Sequence, residues 1–327
     1  MKTVIGIGNA ITDIPVFLPD NSLLEEFNFV VGSMNHIDAE SMEKLWSRVK
    51  GYAGKYIAGG SAANTIAAMA QLGMKGRFVG MTGADEAGEM FVRGHGSSGV
   101  EMVMYDGKGP SGRALAFING KDGERTFATC LGAALEFTPD EVSAEMFHGA
   151  DILHTEGYML QCPGVVERAM EMARGKGMII SMDLGSMGIV KRYKDELHAI
   201  VEEYADIVFA NEDEAEAFTG LHGEEALDYI YEKVSGGGKK FPVAVVKLGA
   251  EGSLVKSREG VNVIEAVPAN VVDTTGAGDI YAAGFLYALS CGAVPQRCGE
   301  VGSLLASRVV ETVGPKIFDV SLADDLL

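Results

Sequence analysis

The chain has 327 residues, 47% of them hydrophobic, enough to bury a large core in one domain or one with a small attachment. Its formal charge of -19 argues against a nucleic-acid or anionic-membrane partner, because holding phosphates needs clustered Lys and Arg. Cys130, Cys162, Cys291 and Cys298 form no Cys-x-x-Cys pair and no metal spacing, the N-terminus has no signal-peptide core, and no run approaches about 18 apolar residues. A cytosolic protein with reduced thiols and no membrane span is expected.

Thr3 to Ile7 reads as a buried strand that ends at Gly8-Asn9-Ala10-Ile11-Thr12-Asp13. Asn9 and Asp13 then lie just past a strand end, where open α/β sheets place ligand-binding groups, although a turn or cap is the simpler account of Asp13 taken alone. Gly6-x-Gly8 is only part of a dinucleotide fingerprint, since Ile11 stands where the third glycine would be. Residues Phe27 to Asp38 and Val100 to Cys130 have another texture. The second stretch alternates apolar and polar residues and is broken at Gly109-Pro110 and at Asn119-Gly120-Lys121-Asp122-Gly123, a hairpin signal. Both are expected to leave the main sheet as a small antiparallel flap. Between them, Ala58-Gly59-Gly60-Ser61-Ala62-Ala63-Asn64-Thr65 leads into a helix at Ile66 to Leu72. Gly59 and Gly60 would let backbone approach a polyhydroxylated ligand, and Asn64 offers a donor and an acceptor. A tightly packed helix start explains the alanines but not Asn64.

From Asp140 onward the pattern is regular, with strands at Ile152 to Thr155, Met178 to Met182, Ile207 to Ala210, Ala244 to Leu248 and Ser253 to Lys256. Helices at about 164–175, 195–204, 213–219 and 224–235 make them parallel strands with crossovers. Residues past the strand ends become candidates: Glu156 and Tyr158, Asp183, Asn211 with Glu214, and Lys247 with Gly249 and Gly252. Asn211 to Glu214 reads equally as a helix cap, and Lys247 to Gly252 as a hairpin turn. His148 and His154 lack ligand partners at fixed spacing and read as structural.

Val267 to Val272 reads as a strand and Ile280 to Leu289 as a buried helix, so Asp273-Thr274-Thr275-Gly276-Ala277-Gly278-Asp279 is a strand-to-helix turn. Its first helical N–H groups lack partners within the helix, and two glycines let an anion approach them. Asp279 is awkward beside an anion unless it takes a proton from a hydroxyl attacking phosphorus. The bland alternative is a helix-start carboxylate stabilised by the dipole.

Gly59 to Asn64, Asn211-x-x-Glu214, Lys247-x-Gly249-x-x-Gly252 and Asp273 to Asp279 occur in the order and at the separations of a known family. Over about residues 3 to 320 the chain resembles the phosphofructokinase B-type, ribokinase-like sugar and nucleoside kinases. Gly8-Asn9-Ala10-x-x-Asp13, Gly123-Glu124-Arg125-Thr126 and Leu131-Gly132-Ala133-Ala134 bring it nearest to the adenosine kinase-like and ribokinase-like branches. The resemblance implies one ribokinase-like α/β domain over residues 1–327, a mostly parallel central sheet flanked by helices on both faces. A small antiparallel β-sheet lid would be inserted at about residues 14–38 and 100–132.

It further implies transfer of the γ-phosphoryl of ATP to a primary hydroxyl, with Asp279 as base and Gly276, Ala277 and Gly278 as the anion hole. Asn211, Lys247, Gly249, Gly252 and Thr274 would lie along ATP, with Asn211 and Glu214 holding Mg2+ through water. Asn9, Asp13, Gly59, Gly60, Asn64 and Glu156 would surround a small sugar or nucleoside. Asp273 and Thr275, with groups near Val309 and Gly314, resemble a monovalent-cation site for K+, and the lids of many members pair two copies. Where sugar-kinase relatives carry an Asp-Pro-Asn-type sequence with a following Arg, this chain has Asp183-Leu184-Gly185-Ser186, which disfavours a sugar phosphate. Arg113 and Arg125 are the remaining candidates for an acceptor phosphate, and Phe17, Phe117, Phe127, Cys130, Leu131 and Tyr158 for a slot receiving a base. Two other classes differ in signature. A nicotinamide-dependent oxidoreductase would need the missing glycine, and a non-catalytic sugar- or nucleotide-binding protein of the same fold would have lost Asp279, Asn211 or Glu214.

Overall fold

The structure, a computed structural model, describes residues 2–119, 125–237, 239–312 and 314. The expected turn at Gly120 to Gly123 therefore lies outside the described residues. β1 (Thr3–Ile7) and β2 (Ile11–Leu18) are followed by α1 (Ser22–Glu26), β3 (Met34–His36), α2 (Ala39–Val49), β4 (Ile57–Ala58) and α3 (Ser61–Gln71). Then come β5 (Lys75–Thr82), α4 (Glu86–Gly96), β6 (Val100–Asp106), β7 (Gly112–Asn119) and β8 (Arg125–Cys130). The next run is β9 (Ile152–Glu156), α5 (Val165–Gly175), β10 (Ile179–Asp183), α6 (Met187–Arg192), α7 (Lys194–Glu203), β11 (Ile207–Asn211), α8 (Glu212–Thr219) and α9 (Gly223–Ser235). β12 (Val243–Lys247), β13 (Ser253–Ser257), β14 (Gly260–Ile264), α10 (Ala277–Ser290) and α11 (Pro295–Val309) complete the described elements.

Nine strands form the large sheet in the order β14-β13-β12-β11-β10-β9-β1-β5-β6. Every pair from β12 to β6 is parallel, and β13 and β14 finish the edge antiparallel. Alternation along the strands feeds two cores. Val4, Phe78, Ile152, Phe209 and Val245 face α3, α10 and α11, whereas Ile5, Val79, Leu153, Val208 and Val246 face α5, α7, α8 and α9. Burial on both faces is what a parallel sheet requires, and it explains the near-continuous apolar strands. Helices α3 and α10 pack together, and Thr65 Oγ1 of the first donates to the Asp279 carbonyl of the second at 3.1 Å.

The second sheet has five strands in the order β3-β8-β7-β2-β4. One face packs on α2 through Ile14, Val16, Leu115, Phe117, Ala128 and Cys130, leaving the opposite face toward the large sheet. Four expectations change here. β6, the start of the second lid segment, belongs to the large sheet, where it runs parallel to β5, so that segment leaves the body only with β7. The small sheet is mixed, because β2–β7 and β3–β8 are parallel while β7–β8 and β2–β4 are antiparallel. Val267 to Val272 is an irregular segment with Val271 and Val272 exposed, since Pro268 has no N–H to give a ladder. Ser253 to Ser257 is a strand, but it pairs antiparallel with β12 across the Lys247 to Gly252 turn.

Candidate active site

Four neighbouring parallel strands end in polar residues at the C-terminal edge of the large sheet: β9 in Glu156, β10 in Asp183, β11 in Asn211 and β12 in Lys247. That edge is where doubly wound sheets bind ligands. Two cavities open there. One, of about 630 Å3, is walled by the body alone, with Gly249, Gly252, Val267, Thr274, Tyr281 and Val310 among its lining. The other, of about 410 Å3, lies between body and small sheet, with Asp13, Asn64, Phe127, Asp183, Glu214 and Asp279 in its walls. Lys247 and Gly278 line both.

Asp279 sits in the first turn of α10, whose cap Gly276 is left-handed at φ 76°. Its carboxylate meets the first turn of α3. Ser61 Oγ donates to Oδ1 at 2.7 Å and Asn64 Nδ2 donates to Oδ2 at 2.9 Å. Burial pushes Asp279 up to about 7; the Asn64 and Ser61 bonds and the Lys247 charge oppose that rise, and the Asp183 charge adds to it. A carboxylate tuned near neutrality can carry a proton in either direction. Among the described residues, no protein acceptor is found for the Gly276, Gly278 and Asp279 N–H groups, while that of Ala277 is taken by the Thr274 carbonyl at 3.2 Å. The turn therefore presents donors to an anion from Gly276 and Gly278, but not from Ala277.

Lys247 reaches across the end of β11 to Asp183, Nζ to Oδ2 being 2.7 Å. Burial alone would lower its pKa, but Asp183 and Glu214 outweigh that and raise it, so the ammonium stays charged. Asn211 and Glu214 close on each other as a capping box. Asn211 N and Nδ2 donate to Glu214, and Glu214 N donates back to Asn211 Oδ1. Burial first, then the Asp183 charge, holds Glu214 above the usual carboxylate range. Both residues line the smaller cavity with Asp279 rather than the larger one.

Glu156 is a strut. Its two oxygens accept from Asn9 N at 3.0 Å and Ala62 N at 2.6 Å, tying the end of β1 to the start of α3, and burial pushes it up to about 7. Asn9 is buried outside the cavity lining, and neither atom of its side-chain amide has a protein partner among the described residues. Gly60, at φ 84°, also passes so close that a Cβ would sit 2.5 Å from the Asn9 carbonyl oxygen. Gly59 lies against the Asp13 carboxylate, which any side chain there would strike. These glycines bring Asp13 and Asn64 to one cavity wall.

Several candidates fall elsewhere. Arg113 is not in the cleft; it shares the covered face of β7 with Leu115 and Phe117 and pairs with Glu43 of α2. The Arg125 side chain lies outside what is described. Of the aromatic and apolar candidates, Phe127, Leu131 and Tyr158 line the smaller cavity, whereas Phe117 and Cys130 are buried under α2 and Phe17 faces solvent. Asp273 accepts from Thr275 N and Gly314 N, both at 3.0 Å, so the stretch near Val310 does lie beside it. The sequence reading missed Ser61, Met34 and His36. The serine stood inside a quoted motif, but its partner is 218 residues away.

The pfkB family carbohydrate kinase model matches residues 25–320. A probable sugar kinase from Rhizobium etli is 33% identical, the match covering 100% of this chain and 99% of that one at a TM-score of 0.88. The adenosine kinase of Sinorhizobium meliloti is 32% identical, covering 99% and 98% at a TM-score of 0.85. An adenosine kinase of Saccharomyces cerevisiae is 28% identical over 274 residues, 80% of each chain. The chain belongs to the pfkB family of carbohydrate kinases, phosphotransferases that act on an alcohol group.

Proposed function

We propose that this kinase transfers the γ-phosphoryl group of ATP to the primary hydroxyl of a neutral nucleoside, with Asp279 as general base. One observation carries the reading. Asp279 stands in the wall of the smaller cavity, while Gly278 and Lys247 belong to both cavities, so a hydroxyl and a terminal phosphate can meet at one point. The acceptor oxygen attacks the γ-phosphorus, its proton passes to Asp279, and the bond from that phosphorus to the bridging oxygen breaks to leave ADP. Gly276 and Gly278 N–H groups with the Lys247 ammonium lie where equatorial charge would develop.

The acceptor follows from charge and surface. The smaller cavity carries five carboxyl groups, those of Asp13, Glu156, Asp183, Glu214 and Asp279, against the Lys247 ammonium, so a phosphorylated or acidic acceptor would be repelled. Met34, Ala114, Phe127 and Leu131 give the small sheet an apolar wall that suits a purine. That adenosine kinases stand among the relatives agrees.

Mg2+ suits the site through water. Asn211 and Glu214 are oxygen donors already spent on each other, and no group of three or more His, Cys, Asp or Glu forms a cage among the described residues. Bound there, the ion would neutralise phosphate charge. The Asp273 turn beside Val310 and Gly314 supports a K+ seat in the same way.

The test is ATP consumption with adenosine, inosine, guanosine, ribose, fructose and a sugar phosphate, each with and without K+. Turnover should be greatest with a nucleoside, and preference for a sugar phosphate overturns the acceptor assignment. Asp279→Asn should keep the fold and ATP binding while kcat falls on the order of 10^2- to 10^4-fold. Near-normal activity removes Asp279 as base.

A further inference from the structure

Asp183 has so far entered only as a charge beside Asp279 and Glu214, yet its position is unusually determined. Its Oδ1 accepts from Gly185 N at 2.9 Å within its own turn, which fixes the plane of the carboxylate, and its Oδ2 takes the Lys247 ammonium at 2.7 Å. Both side chains are largely buried, 9% and 14% exposed. The lysine leaves β12, passes over the end of β11 where its register partner Asn211 stands, and meets the end of β10. The ammonium comes to rest 3.0 Å from where a Cβ on Gly278 would lie, at the foot of the anion-binding turn and on the boundary of the two cavities. A lysine stem has four rotatable carbons, and left alone its ammonium would follow whichever phosphate oxygen came nearest.

We propose that Asp183 is a positioning residue that holds the Lys247 ammonium at the meeting point of the cavities, on the acceptor side, before ATP arrives. This rests on the kinase reading above and adds a division of labour to it. Lys247 supplies the positive charge, and Asp183 decides where that charge stands. Held so, the ammonium is placed for the phosphoryl group in transit rather than for the phosphates of bound ATP, which favours the transition state over the ground state. Freed from Asp183, it would serve the ground state equally well and the transition state less.

The test is a double-mutant cycle on the full chain, with kcat and both KM values measured for ATP and the preferred acceptor. Asp183→Asn is isosteric and should lower kcat by about 10- to 100-fold, the range expected when a catalytic group is misplaced by about an ångström. KM for ATP should stay level or fall, and Asp183→Glu should recover part of kcat. If Asp183 acts through the lysine, Asp183→Asn should cost little further in a Lys247→Met background. Additive losses, or a rise confined to the acceptor KM, would mean that Asp183 touches the acceptor directly, and the proposal falls. Wild-type kcat in Asp183→Asn overturns it as well. Thermal unfolding of each variant separates a folding defect: a variant that melts early but shows additive kinetics also counts against it. Asp279→Asn, assayed alongside, keeps the outcomes distinct. Activity there sinks the kinase mechanism, whereas a failed cycle beside a dead Asp279→Asn sinks only the role of Asp183.

Discussion

Two hydrogen bonds from one helix set the working range of a carboxylate on another. Ser61 and Asn64 stabilise the charged form of Asp279 against burial, and without them its pKa would stand above about 7. Ser61→Ala removes one donor, so on the proposed mechanism more of the enzyme would carry a protonated, inactive base at a given pH. The acidic limb of the kcat/KM profile should move to higher pH, with activity recovering at alkaline pH; a limb that stays or moves down would refute the assignment. Residue identity was partly legible in sequence. Asp279, Asn64 and Lys247 stood out beside glycine-containing turns at strand and helix ends. The part played by Ser61 was not legible, because it depends on two segments meeting from opposite ends of the chain. Arg113 shows a case where period-two alternation, applied strictly, would have helped: it shares parity with Leu115 and Phe117 and so points away from the cleft.

The first turns of α3 and α10 are the elements that assemble the candidate site, and the Gly59-Gly60 entry to α3 has little tolerance. Gly60→Ala would need a left-handed alanine pressed on the Asn9 carbonyl. A loss of stability of roughly 1–3 kcal/mol is expected. Since the displaced segment carries Asn64, the acceptor KM should rise as well. Chemical denaturation together with steady-state kinetics would check both, and an alanine variant with unchanged midpoint and KM would show that the segment is looser than drawn. The helices and parallel strands were legible, because apolar strands of about five residues alternate with amphipathic helices. Sheet membership was not. β6 and β7 have similar alternating composition, yet one pairs with β5 in the body and the other with β2 in the small sheet, a choice made by distant partners.

At the scale of the molecule, the charge of -19 and the buried carboxylates act together. Asp279 and Glu156 stand at about 7 in the folded chain against ordinary values of 3.8 and 4.5. Between those limits the native state binds more protons than the unfolded one, so stability rises as pH falls through 7. Relief of like-charge repulsion works in the same direction. His154, buried and lowered to about 4, acts oppositely once pH drops below its ordinary 6.5. The ligand-free protein should therefore melt at a higher temperature at pH 6.5 than at pH 8, and Asp279→Asn with Glu156→Gln should flatten that difference. Calorimetry across this window decides it; a melting temperature that falls on acidification from 8 to 6.5 would contradict the buried-carboxylate account.

The two chambers differ in who owns their walls. Residues 247–310 of the body enclose the larger one, whereas the smaller one borrows a side from the five-stranded sheet backed by α2. Traffic through them is accordingly separable. On the proposed assignment, ATP and ADP would use a chamber in which that sheet has no part, whereas the acceptor would rest against it.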